Sequence, residues 1–254
     1  MFTASHLRSP ARDRGLLVAL VAMLALTAWV VLWWWDASPY RRYLHHDAPA
    51  SIGTPVELGL FVVGWALMIV AMMLPTVIPL LATFRALVGS RRRPGQLVGL
   101  AIVGYVVTWS GFGLLAWLGD RGIHAAVDAI PWLSENPRFV LAGTFLLAGA
   151  YQFSPLMYRC LDECRSPLGF ILNRWQGRAV RLEAFRLGIA HALFCIGCCW
   201  SLMLVMFGVG LGSLAWMLAL GAVTAVEKNA AWGRRLVRPL GVVLLLAGLA
   251  IVNG

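Results

Sequence analysis

Charge is scarce in this chain of 254 residues: 13% are Asp, Glu, Lys or Arg, 60% are hydrophobic, and the mean hydropathy is +0.78. That shortage excludes a large soluble domain, in which about a quarter of the residues are charged, and points to a polytopic membrane protein. Cysteine is limited to Cys160, Cys164, Cys195, Cys198 and Cys199. An odd number argues against a disulfide framework and leaves metal ligation or buried thiols. The sequence has no low-complexity tract, no internal repeat, and no flavin or nicotinamide motif. Nor does its first apolar run carry a small-residue cleavage site. That run ends in Trp33, Trp34, Trp35 and Asp36, which reads as an uncleaved span with an interfacial aromatic anchor.

Long apolar runs are what the sequence has in abundance, at about 16–35, 58–83, 97–118, 138–153, 187–209, 211–226 and 237–253. Against the roughly 20 residues needed to cross a bilayer, they predict an all-α transmembrane bundle of about seven spans. The fourth, sixth and seventh runs are short, and one of them can be re-entrant. The whole chain, 1–254, reads as a single membrane domain. The net charge of +10 is explained by orientation rather than by nucleic acid. With the N-terminus inside, the cytoplasmic segments hold Arg8, Arg12, Arg14, Arg85, Arg91, Arg92, Arg93, Arg159, Arg165, Arg174, Arg178, Arg181, Arg186, Lys228, Arg234, Arg235 and Arg238. Only Arg41, Arg42, Arg121 and Arg138 fall outside. The expected cytoplasmic parts include a tail at 1–15 and a loop at 154–186.

The strongest motif is His191-x3-Cys195-x2-Cys198-Cys199-Trp200, inside the fifth run. At about 100° per residue all four ligand side chains share one face of a helix, over roughly 12 Å of its length. Imidazole and thiolate favour copper(I) or zinc over the oxygen-loving cations. Ionisable groups at such depth are costly, so a functional role outweighs inert filler, although single buried cysteines often are filler. Met203 and Met206 continue the helix with thioethers, and Met68, Met72 and Met73 precede Pro75 in the second run. Proximity of those thioethers to the thiols would tilt the preference to copper, whereas a methionine stripe alone is more often packing.

Cys160 and Cys164, one helical turn apart, are candidates for a second, interfacial site or a handover point. Gln152 can donate to a carbonyl or line the same space. Glu227 and Lys228 close the sixth run as an interfacial pair with a snorkelling lysine, or as a carboxylate that balances a cation near His191. On the outer side, His45, His46 and Asp47, and the four-residue repeat of Asp120, His124 and Asp128, fit solvated polar faces better than metal capture.

Four blocks of the sequence resemble the predicted metal-binding integral membrane proteins of bacteria, a family defined by a domain of unknown function. They are Trp65 to Pro75; Tyr151, Gln152 and Pro155 through Cys160, Leu161, Cys164, Arg165 and Pro167; Gly188 and His191 through Cys195, Gly197, Cys198, Cys199, Trp200 and Met203; and Glu227 with Lys228. The resemblance implies a multi-pass protein of the bacterial inner membrane whose metal site uses these His and Cys positions. One departure is Met157, where the pattern would place a lysine; the loss of that cation beside Cys160 weakens the interfacial site. The expected function is copper(I), or less readily zinc, binding for metal handling or delivery, with the bilayer, the ion and a metal-delivery protein as partners. A membrane oxidoreductase and a structural subunit without metal remain open alternatives.

Overall fold

The computed structural model describes residues 10–38, 55–209 and 213–253. His45, His46, Asp47 and the 210–212 turn lie outside the described residues. All regular elements among the described residues are helical: α1 (Pro10–Asp36), α2 (Pro55–Met68), α3 (Ile78–Leu87), α4 (Pro94–Ala129), α5 (Pro131–Glu135), α6 (Arg138–Tyr151), α7 (Pro155–Arg165), α8 (Pro167–Leu172), α9 (Val180–Val209), α10 (Leu214–Asn229) and α11 (Val237–Asn253). Proline punctuates the chain. Pro94, Pro131, Pro155 and Pro167 each open a helix, where the missing N–H is not needed and the fixed φ already suits the first turn. Ser154 caps α7 by accepting from the Leu156 amide at 3.1 Å.

Between α2 and α3 the helix is broken by the same physics. Pro75 cannot donate to the carbonyl four residues back and its ring crowds that carbonyl, so the preceding turn widens. Ile69–Met73 forms a π turn, closed by Leu74 N–H donating to the Ile69 carbonyl at 3.0 Å, and a short 3₁₀ turn, Pro75–Val77, follows. The Thr76 hydroxyl takes up the Met73 carbonyl at 2.7 Å. The two halves meet at 44°.

By length and hydropathy four helices can cross a membrane, in α1, α4, α9 and α11, or up to six if the bent α2–α3 and α6–α7 pairs each count as one span. The expected sixth span, α10, has 16 residues, about 24 Å of helix, which is short of the roughly 30 Å hydrocarbon layer. Conversely α4, with 36 residues, runs about 54 Å, so its end projects well past such a layer. Asp120, His124 and Asp128 therefore lie on an extension of α4 rather than on a separate surface helix. His124 Nδ1 stands 3.5 Å from Asp120 Oδ2 in an exposed pair. The 154–186 segment, read as a loop, contains α7, α8 and the first turns of α9.

The helices present large apolar side chains outward, among them Leu26, Val30, Leu115, Leu193 and Leu246. Inside, α9 is the central element, packed by α4, α6 and α7. Where α4 crosses α9, a Cβ on Gly104 would strike the Phe185 carbonyl and one on Gly188 the Ala101 carbonyl, so the two backbones touch directly. The Trp65 indole donates to the Trp109 carbonyl at 2.8 Å, tying α2 to α4. The start of α9 is held by Glu183, whose carboxylate accepts the backbone amides of Gln176, Gly177, Arg178 and Ala179 at 2.6 to 3.0 Å. Gly177, at φ +74°, supplies the left-handed residue that this turn requires.

Candidate metal centre

Cys195, Cys198 and Cys199 are fully buried on α9, as are Met203 and Met206 farther along it. The i+3 and i+4 spacing sends two thiols back onto one backbone oxygen. Cys198 Sγ and Cys199 Sγ donate to the Cys195 carbonyl at 3.1 and 2.9 Å. Cys195 Sγ is approached from two other helices. The Tyr105 hydroxyl of α4 lies at 2.9 Å, and Lys228 Nζ of α10 at 2.7 Å and 4.0 Å from Cys199 Sγ. Two sulfurs therefore share one ammonium. Lys228 is 6% exposed, so it does not snorkel; its Nζ donates to Cys195 Sγ inside the bundle.

A fourth thiol joins from α7. Cys164, half-buried, interacts through its side chain with Cys198, which in turn interacts with Cys195 and Cys199. Thiols thus run from the end of the bundle that carries α7 into its core. Cys160 is seated differently: its Sγ lies 2.5 Å from where a Cβ on Gly197 would stand, so the glycine in the motif admits α7 to the face of α9. Tyr151 locks the same place, donating to the Gly197 carbonyl at 2.5 Å while its ring stacks edge-on against Trp200 at 4.9 Å.

His191 is buried but lies among aromatic rings, edge-on to Phe170 of α8 at 5.1 Å and 6.1 Å from the Tyr105 ring. Its Nδ1 has no hydrogen-bond partner. An orphaned imidazole nitrogen and a cluster of soft sulfurs are the donor set that fits copper(I). As the helices stand, no group of three or more His, Cys, Asp or Glu among the described residues forms a ready cage for a metal. The thiols are engaged by a carbonyl, a phenol and an ammonium instead, and a metal has to take them over.

The other candidates divide. Met72 packs on Gly221 of α10, the helix that carries Lys228, and Met68 and Met73 are buried around the π turn. Gln152 is fully buried and both its amide atoms lack partners, so of its two expected roles the bond to a carbonyl is not made. Glu227 is buried with Oε1 unpartnered, and its backbone carbonyl accepts from Arg165 Nη1 at 2.5 Å. Arg165 also donates to the Ala231 carbonyl at 3.1 Å, satisfying the end of α10 from α7. Sequence reading missed Tyr105, and quoted Arg165 only within a family block without a partner. A phenol in the middle of an apolar run signals a buried partner, but nothing in the spacing says which one.

A family model described as PpoB2: Copper chaperone matches residues 62–251. No curated protein and no solved structure matches the chain.

Proposed function

Because the chain belongs to the PpoB2 copper-chaperone family, we propose that it is a multi-pass protein of the bacterial inner membrane that receives copper(I) at its cytoplasmic end, holds it on Cys195, Cys198 and Cys199, and hands it on. The observation that carries this reading is the buried sulfur cluster, with a lysine ammonium and a phenol drawn to the same thiol. Copper(I) is a soft cation that thiolates hold well and that hard oxygen sites do not. Copper here is the cargo. Copper(I) uptake at Cys195 releases the thiol proton and displaces the Lys228 Nζ contact at 2.7 Å, so the ion takes over a sulfur that a hydrogen bond held before.

Each remaining residue has a task in this reading. Cys164, less buried than the other thiols of the run, is the first to meet copper and Cys198 the next. Cys160, on Gly197, keeps α7 against α9. His191, through its unpartnered Nδ1, and Met203 are reserve ligands on the same helix, and Met72 and Met73 line the neighbouring π turn. Glu227 contributes an unsatisfied carboxylate oxygen near Cys198 that can follow a change of charge there, and Gln152, packed against α11, holds unpartnered amide atoms. The apolar outer faces of α1, α4, α9 and α11 support insertion in lipid, and the arginine-rich ends support an N-terminus in the cytoplasm.

Metal analysis of protein purified without chelators tests the proposal. Near-stoichiometric copper is expected in the wild type and its loss in the C195S/C198S/C199S variant. Full copper retention by that variant overturns the ligand assignment, and zinc in place of copper overturns the cargo.

A further inference from the structure

A cavity of about 1130 Å³ opens between α7, α8 and the turn from α10 to α11. Five arginines line it: Arg159, Arg165, Arg234, Arg235 and Arg238. Its two carboxylates are already spent. Asp162 is paired with Arg234 at 3.0 Å and Glu163 with Arg174 at 3.4 Å. Arg165 is held by backbone carbonyls of the α10 end. Arg159, Arg235 and Arg238 have no carboxylate partner among the described residues, so the cavity carries an uncompensated positive charge. The Tyr158 hydroxyl, on the same lining, is buried and unpartnered.

The position matters as much as the charge. Glu163 and Arg165 of the lining flank Cys164, which interacts with Cys198, and Phe170 of the lining rests edge-on against His191. The lining therefore brackets Cys164 along α7 and touches His191 through the Phe170 ring. A bare cation would be repelled from such an entrance. Copper(I) held by two thiolates is an anion, and a small peptide thiol adds carboxylates that arginine forks recognise.

We propose that this cavity is the loading vestibule for an anionic copper(I) complex of a small, carboxylate-bearing thiol, a reading that rests on the copper-handling function above. Transfer is a ligand exchange without redox change. The Cys164 sulfur bonds to copper(I), one carrier sulfur leaves, and the proton of the Cys164 thiol goes to the departing thiolate. Cys198 repeats the exchange, which draws the ion inward.

Copper-free binding separates the vestibule from the metal site. With the full-length protein in neutral detergent, S-methylglutathione, which cannot ligate as a thiolate, is expected to bind in calorimetry, and R235A/R238A to weaken it by about tenfold or more. Binding is expected to weaken several-fold as salt rises from about 0.02 to 0.5 M. An unchanged melting temperature shows that the variant is folded, and R159A gives a second, independent position. No binding by the wild type, or binding indifferent to the arginines and to salt, overturns the proposal. So does occupancy of the cavity only by phosphatidylglycerol in nanodiscs. Uptake by the wild type from the cationic copper(I) acetonitrile complex tests the sulfur site separately: its absence sinks the copper reading, whereas its presence without peptide binding sinks only the vestibule.

Discussion

Substituting Gly188 by alanine tests whether backbone contact between α4 and α9 sets the metal centre. The new methyl would lie 2.8 Å from the Ala101 carbonyl carbon and 3.0 Å from its Cα, closer still to the oxygen, where ordinary contact begins at 3.4 Å. Neither partner is a flexible side chain, so the helices must separate by roughly 1 Å or more, at an overpacking cost of about 1–3 kcal/mol. Gly99 is the control: it also lies in α4, and nothing stands within 4 Å of a Cβ there. Helix propensity alone makes the G99A change neutral to favourable by up to about 1 kcal/mol. The two variants should differ by about 1–4 kcal/mol, which for a chain of this size is on the order of 2–16 °C in melting temperature. The same separation pulls Tyr105 of α4 from its 2.9 Å contact with Cys195, so G188A should also lose copper occupancy while G99A keeps it. Equal melting temperatures and equal copper in the two variants would refute the claim that close glycine packing positions the thiols.

Replacing Trp65 by phenylalanine removes the 2.8 Å indole donor from the Trp109 carbonyl, which keeps its helical bond within α4, and should cost about 0.5–1.5 kcal/mol, read by thermal unfolding in detergent; a change near zero removes that bond from the account. Changing Glu183 to alanine frees four backbone amides ahead of α9, so amide exchange at Gln176–Ala179 should accelerate while exchange within the α9 core does not; uniform acceleration along α9 would contradict a local role. Cys164→Ser should slow copper uptake by full-length protein with little loss of final occupancy, since Cys195 and Cys199 remain, whereas unchanged uptake kinetics would remove Cys164 from the path.

How much could be read beforehand depends on the range of the interaction. The 3.6-residue period of α9 put Cys195, Cys198 and Cys199 on one face, because helix geometry is local and their spacing is enough to fix it. The second run read as one span, yet it breaks at Pro75, because a missing N–H acts within one turn. His191 is the instructive exception. It shares the helix face with the thiols, yet its ring is taken by Phe170 from α8, 21 positions earlier in the chain. The 154–186 segment misled for a related reason: its polar residues look like a loop, although they form two short helices whose apolar sides, Met157, Leu161, Phe170 and Ile171, are buried against the bundle.

Composition and local pattern therefore determined an all-helical, strongly apolar chain with arginines gathered at the ends of its runs and soft ligands on one helix. Only the tertiary structure decided that Lys228 turns inward to Cys195, that Tyr105 meets it from α4, that Cys164 joins the thiols of α9 while Cys160 seats on Gly197, and that five arginines from α7 to α11 surround one cavity. The reason is that a partner's identity across a helix interface is set by crossing distance and rotation. Those depend on where glycines let the backbones touch, and no spacing within a single helix encodes that.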